Sequence, residues 1–199
     1  MNLNEQASIV HEANKKWWQD PITQEPISRN RGELLSLMHS EASEMFDAEI
    51  QDLMDDKLPH RRGGEVELID LVIRTLDYSK GFGYNLNAHA IKAGIMEFDD
   101  LDCVLDFIDG QFLNRMRRDI ASFQVSFLHR QISQVVEAER KSNRDKAEVH
   151  LFLTLLYSFV YAEIRGYDLQ AAFDEKMAFN AERADHKHEA RIAVGGKLF

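Results

Sequence analysis

Apolar positions Leu34, Leu35, Leu37, Met38, Ala42, Met45, Phe46 and Ile50 recur at helical spacing and predict a long helix over residues 33–55. The same period, carried by Val66, Ile69, Ile73 and Leu76, predicts a second over 65–80. Pro59 and the pair Gly63-Gly64 mark the turn between them. Upstream, a helix over 4–18 with Asn4 as its candidate cap precedes the irregular stretch "QDPITQEPISRNRG" at 19–32. After the link "GFGYNL" (81–86), Asn85 or Asn87 stands ready to cap a helix over 87–97. Further helical patterns cover 99–118, weakened by Gly110, then 119–141, 145–164 and 170–191, before a loose "AVGGKLF" tail. The apolar stretch "VHLFLTLLYSFVYA" is too short to span a bilayer and reads as a buried helix. The expected fold is all-α, a helical bundle.

An internal repeat organises these elements. "GFGYNL" (81–86) matches "IRGYDL" (164–169), and the same offset aligns "EVELIDLVIRTLDYS" (65–79) with "EVHLFLTLLYSFVYA" (148–162). Upstream, "HSEASE" (39–44) matches "HRQISQ" (129–134). Two tandem, diverged copies are expected, residues 1–98 and 99–199, stacked into one globular bundle. The copies differ in their acids. Glu41, Glu44, Glu67 and Asp70 align with Gln131, Gln134, His150 and Leu153.

Composition changes the picture little. With 44% hydrophobic and 29% charged residues, 3 Pro and 10 Gly, the 199-residue chain suits long helices rather than a turn-rich β fold. The formal net charge of −10 argues against nucleic-acid polymers as partners. A free nucleotide remains compatible if Mg²⁺ bridges acid to phosphate. No run of 18 apolar residues is present and the N-terminal stretch is polar, so neither a membrane span nor a signal peptide is expected. The single Cys103 excludes an internal disulfide, sits in an apolar pattern that reads as core, and agrees with a cytoplasmic protein.

The acids carry the candidate chemistry. Glu41 and Glu44 are spaced to share one helix face, as are Glu67 and Asp70. The intervening turn lets the two pairs face each other. Converging carboxylates repel unless a cation joins them. Oxygen ligands suit Mg²⁺, with Mn²⁺ as a substitute. No Cys/His zinc spacing is present, and His39 does not share a face with Glu41. The alternative for either acid pair alone is an ordinary solvated face. Among nearby cations, Lys57, Arg61 and Arg62 lie in the turn, and Arg74 sits one turn beyond Asp70, placed for phosphate or for a salt bridge to Asp70 or Asp77. Lys176, Asn180, Arg183 and Lys187 form a polar stripe at spacings of 4, 3 and 4, either solvated or completing the site. Trp17 and Trp18 offer stacking surface for a nucleobase, with ordinary packing as the alternative.

The pattern E-x-x-E, spacer, E-x-x-D in "ELLSLMHSEASEMFDAE" and "EVELIDLVIRTLDYS" resembles the all-α nucleoside triphosphate pyrophosphohydrolases, the MazG-like superfamily that includes the dimeric dUTPases. The family's later Lys, Asn and Arg are best matched by "EKMAFNAERADHK" (175–187). The resemblance covers residues 32–92 most specifically. It implies that Glu41, Glu44, Glu67 and Asp70 bind Mg²⁺, and that Lys176, Asn180 and Arg183 contact phosphates or sugar. It also implies the reaction NTP + H₂O → NMP + PPi, with Glu44 the suggested proton acceptor and more than one Mg²⁺. A pyrimidine deoxynucleotide is the substrate expected by analogy, with a non-standard nucleotide also open. The degenerate second set of acids argues against two sites per chain. The 12 Phe of an all-helical chain point to a partner surface, and a homodimer is expected. Two alternatives stand beside this. A helical metal-dependent 5′-nucleotidase would need an H-D doublet that is absent, and "DHKH" (185–188) is a poor substitute. A non-enzymatic nucleotide-binding, regulatory or assembly protein would keep the acids as a surface.

Overall fold

Nearly every long apolar period in the sequence becomes a helix. The structure, a computed structural model, describes residues 1–107, 114 and 121–192. Its helices are α1 (Leu3–Asn14), α2 (Arg31–Gln51), α3 (Gly63–Gly81), α4 (Asn87–Lys92), α5 (Ala121–Arg140), α6 (Arg144–Arg165), α7 (Leu169–Glu182) and α8 (His188–Ile192), with 3₁₀ turns at Lys15–Trp18, Asp102–Phe107 and Ala184–His186. Among the described residues there is no β-strand; the extended pairs Gln19–Pro26 and Met54–Arg62 are isolated bridges.

Side-chain caps explain four of the helix starts. Asn2 accepts from the backbones of Asn4 and Glu5 while Glu5 returns the bond, so the capping box lies two residues ahead of the expected Asn4 cap. Asn4 serves the 85–86 link instead: its Nδ2 donates to Asn85 Oδ1 at 2.8 Å and its Oδ1 accepts from Leu86 N at 2.9 Å. Asn30, Asn143 and Asp168 cap α2, α6 and α7. Three expected helices are shorter than their patterns. The first ends at Asn14 and tightens into a 3₁₀ turn. The fourth stops at Lys92, with Gly94 following in the left-handed region at φ 85°. The last breaks at Arg183, where ψ swings to 127° and the guanidinium turns onto Asp185 at 2.6 Å. Of the helix expected over 99–118, the described part is the 3₁₀ turn; residues 108–113 and 115–118 lie outside the described residues.

Helix α3 is the hub. It packs against α2 in a tight antiparallel hairpin and also touches α1, α6 and α7, while α5 pairs with α6 in the same manner. Leu35, Met38, Ala42 and Met45 of α2 meet Leu68, Ile69, Val72 and Leu76 of α3, and the same buried cluster continues through Leu128, Ile132, Leu151, Leu155 and Phe159. Each large apolar side chain buried this way contributes about 1.5–3 kcal/mol. The length and composition of α6 would allow it to cross a membrane, but most of its apolar stretch is buried inside the bundle. At one end of the bundle, Arg31 Nη1 (2.7 Å), Tyr78 OH (2.5 Å) and Tyr84 OH (2.5 Å) all donate to one oxygen of Glu139 on α5.

Close packing makes one glycine informative. The Trp18 ring lies where a Cβ on Gly81 would stand. Gly81→Ala is therefore expected to destabilise by about 1–3 kcal/mol through overpacking. Chemical denaturation followed by tryptophan fluorescence checks this; an unchanged midpoint would mean the Trp18 contact is loose.

Candidate metal centre

The α2–α3 hairpin brings acids from two helices together. Glu41 occupies the apolar stripe of α2 between Met38 and Met45 and is only 5% exposed. Glu67 and Asp70, three residues apart on α3, are half-buried. One carboxylate oxygen from each of the three lies within 4.8 Å of the others. Two cations already hold this group. Arg74 Nε donates to Glu41 Oε1, and Lys176 Nζ, reaching over from α7 with the side chain 2% exposed, sits 2.7 Å from Asp70 Oδ2.

Glu44 stands apart from the three. It is exposed and accepts a hydrogen bond from Ser40 Oγ at 2.9 Å. Its charge still reaches the cluster, since it is among the groups that raise the Glu41 pKa. Burial is the main force lifting Glu41, opposed by Arg74. Burial, followed by the charges of Asp70 and Glu41, pushes Glu67 up to about 8.

The sign of that shift gives a measurable pH dependence. A carboxyl with a raised folded pKa binds its proton more tightly folded than unfolded. Its contribution to metal-free stability is full below the reference value of 4.5, shrinks as pH rises, and levels off above about 8. A divalent ion needs the carboxylate, so the rise in Tm produced by Mg²⁺ is expected to grow across that window and then plateau. Melts with Mg²⁺ and with EDTA at several pH values test this; a pH-independent increment would place the ion elsewhere.

The other sequence-predicted residues divide into two groups. Asn180, Arg183, Arg74 and Asp70 share the wall of a cavity of about 90 Å³ with Trp17 and Arg29. Lys57, 3.1 Å from Asp56, lines an open cleft with Arg183 and Phe179. Arg183 thus borders both spaces. Lys187 leaves the stripe, because the chain turns away at Arg183, and it is exposed beyond the break. Trp18 does not line the cavity. Its Nε1–H points at the Asp77 carboxylate (3.1 Å) and its ring packs edge-on to His11 and Phe82. Trp17 takes the cavity side. Sequence reasoning missed Arg29, whose Nη1 donates to Trp17 O at 2.6 Å. It lies in an aperiodic connector, where spacing gives no signal.

The positions aligned with the acids meet each other as well. His150 Nδ1 lies 2.8 Å from Gln131 Oε1, a direct hydrogen bond between the counterparts of Glu67 and Glu41. His39 and His129, aligned at the start of that segment, stack with ring centroids 5.2 Å apart.

Against known proteins the chain has no significant match: no family model, no curated protein and no solved structure. The donor set must therefore speak by chemistry. Three carboxylates with no Cys or His among them are hard oxygen donors, which fit Mg²⁺ or Mn²⁺ and disfavour a soft metal.

Proposed function

We propose that this chain is a Mg²⁺-dependent nucleoside triphosphate pyrophosphohydrolase, cleaving NTP + H₂O to NMP + PPi, on a pyrimidine deoxynucleotide or a non-standard nucleotide. The observation that carries the reading is the convergence of Glu41, Glu67 and Asp70 beside a cavity that also carries Arg74, Asn180 and Arg183. Bound Mg²⁺ supplies Lewis-acid polarisation of phosphoryl oxygens and a more acidic water. The residues of the chain do the rest. Glu41, Glu67 and Asp70 hold the ion. Arg74 and Lys176, relieved of part of their carboxylate pairing, turn donors towards phosphate oxygens. Arg183 offsets charge on the departing pyrophosphate. Glu44, outside the three and facing solvent, accepts the water's proton at a carboxylate oxygen.

The second half is read as a diverged copy without a metal centre of its own. The matched helix pairs α2–α3 and α5–α6 and the Gln131–His150 bond at the aligned positions support this. Assembly as a homodimer is part of the proposal.

A panel of canonical and modified nucleotides with Mg²⁺, with NMP, NDP, PPi and phosphate resolved, tests the function. NMP plus PPi from one or a few nucleotides is the expected result. Phosphate plus nucleoside would replace this reading with a nucleotidase. One observation favours a second reading: Arg74 and Lys176 already neutralise Glu41 and Asp70, as in a purely structural cluster. Nucleotide binding without Mg²⁺-dependent turnover would favour a non-enzymatic nucleotide-binding protein in which these pairs are structural.

A further inference from the structure

Burying a guanidinium without a carboxylate beside it is costly, and folded proteins rarely do it without a use. Arg29 is buried with no carboxylate of the described residues in contact: the charges of Glu33 and Asp77 reach it but do not outweigh its burial. It is 8% exposed, its Nη1 is spent on Trp17 O, and its Nη2 has no hydrogen-bond partner among the described residues. No carboxylate of the described residues forms an ion pair with it. It lines the 90 Å³ cavity beside the acid cluster, space for roughly six to nine waters. The other charges on that wall are engaged: Arg74 by Glu41, Arg183 by Asp185, Asp70 by Lys176, and Asp77 by His11 and Trp18.

Asn180 adds a second unsatisfied group, since its Oδ1 is also buried without a partner among the described residues. Amide oxygen and nitrogen are assigned from their hydrogen bonds. With neither end of this amide held by the described residues, its NH₂ is free to face the cavity. A water would satisfy the Nη2 hydrogen bond but not the charge behind it.

We infer that this cavity is a phosphoryl-oxyanion subsite, in which Arg29 Nη2 and the Asn180 amide receive one phosphate group without help from the divalent ion. The inference rests on the nucleotide reading for the source of the phosphate, but the binding of the oxyanion is a separate property. Arg29 supplies charge and a planar donor edge, which match a phosphate oxygen better than any neutral acceptor. The apolar wall of Leu34, Leu37 and Ile73 keeps the group partly out of water, which strengthens the pairing.

The test uses the whole chain in EDTA, titrated calorimetrically with inorganic phosphate, pyrophosphate and acetate. Saturable binding of phosphate or pyrophosphate, with acetate much weaker, is expected. Arg29→Gln should weaken it about 10–100-fold, the loss typical of a hydrogen bond to a charged group. Because Arg29 also supports Trp17 O, a second variant guards against misfolding. Asn180→Asp places a carboxylate on the cavity wall that Arg29 also lines, and should raise Tm while abolishing phosphate binding. Absence of phosphate binding, equal binding of acetate, or unchanged affinity in Asn180→Asp would overturn the subsite. These results are separate from turnover, because no Mg²⁺ is present. A pyrophosphohydrolase without this subsite, and the subsite without that activity, give different outcomes.

Discussion

Glu67→Gln is expected to lose Mg²⁺-dependent pyrophosphate release by about 10²–10³-fold, the scale of losing one preorganised electrostatic group, while its metal-free fold becomes no less stable. The two effects have one origin. Buried between Asp70 and Glu41, the Glu67 carboxyl keeps its proton up to about 8. At neutral pH in the absence of metal it is largely the neutral acid, which Gln imitates in shape and charge. From this position the wild-type protein should lose stability as pH rises from 4.5 towards 8; the variant should show no such contribution and should be the more stable protein at pH 9. Steady-state pyrophosphate release and melts in EDTA at pH 6, 7.5 and 9 are the measurements. Unchanged turnover in a well-folded variant would remove Glu67 from the metal centre. A large stability loss would mean the side chain is a structural ligand of another kind.

Lys176→Met should be the most destabilising change at the cluster. The ammonium is 2% exposed and 2.7 Å from Asp70 Oδ2. Removing it leaves Asp70 facing Glu41 and Glu67 with no direct counter-charge. Breaking a buried pair by deleting one partner costs about 3–5 kcal/mol, or roughly 6–20 °C in Tm for a chain of this size. Mg²⁺ should return part of that loss, because the ion takes over the neutralising role. A second change, Asp70→Leu, should return most of it without metal, since a packed apolar pair often replaces a buried ion pair at little cost. The matching position of α6 already carries Leu153. A Tm within 2 °C of wild type would show that water, rather than Lys176, screens the acids.

Much of this architecture is legible in the residues. Apolar periods place α2, α3, α5 and α6 to within a few positions, because those helices bury a continuous stripe and the stripe is what the period records. The acids are a harder case. Their i, i+3 spacing says that Glu41 and Glu44 share one face of α2 but not how far α2 is rotated. The rotation is set by Leu35, Met38, Ala42 and Met45, which draw Glu41 inward and leave Glu44 at the surface. The end of α7 was hidden for another reason. The break at Arg183 is held by the Arg183–Asp185 contact and by His186 reaching back to Asn180 O at 3.1 Å, local bonds that compete with a helix whose pattern would otherwise run on. Arg29 and Trp17 join the site only through tertiary packing, between the connector, the first 3₁₀ turn and α3. No spacing rule links them to Asp70.

Glu139 joins three donors that come from residues 31, 78 and 84, and Lys176 likewise reaches Asp70 from far along the chain. Neither portion of the polypeptide is complete without the other: the part with the acids lacks the carboxylate that ties its helix ends and the ammonium that quiets its charges. Produced as two separate chains, parted between α4 and α5, the pieces should be individually unstable and recover together. The molecule thus has the makings of a two-fragment complementation system, in which any activity reports that the fragments have met.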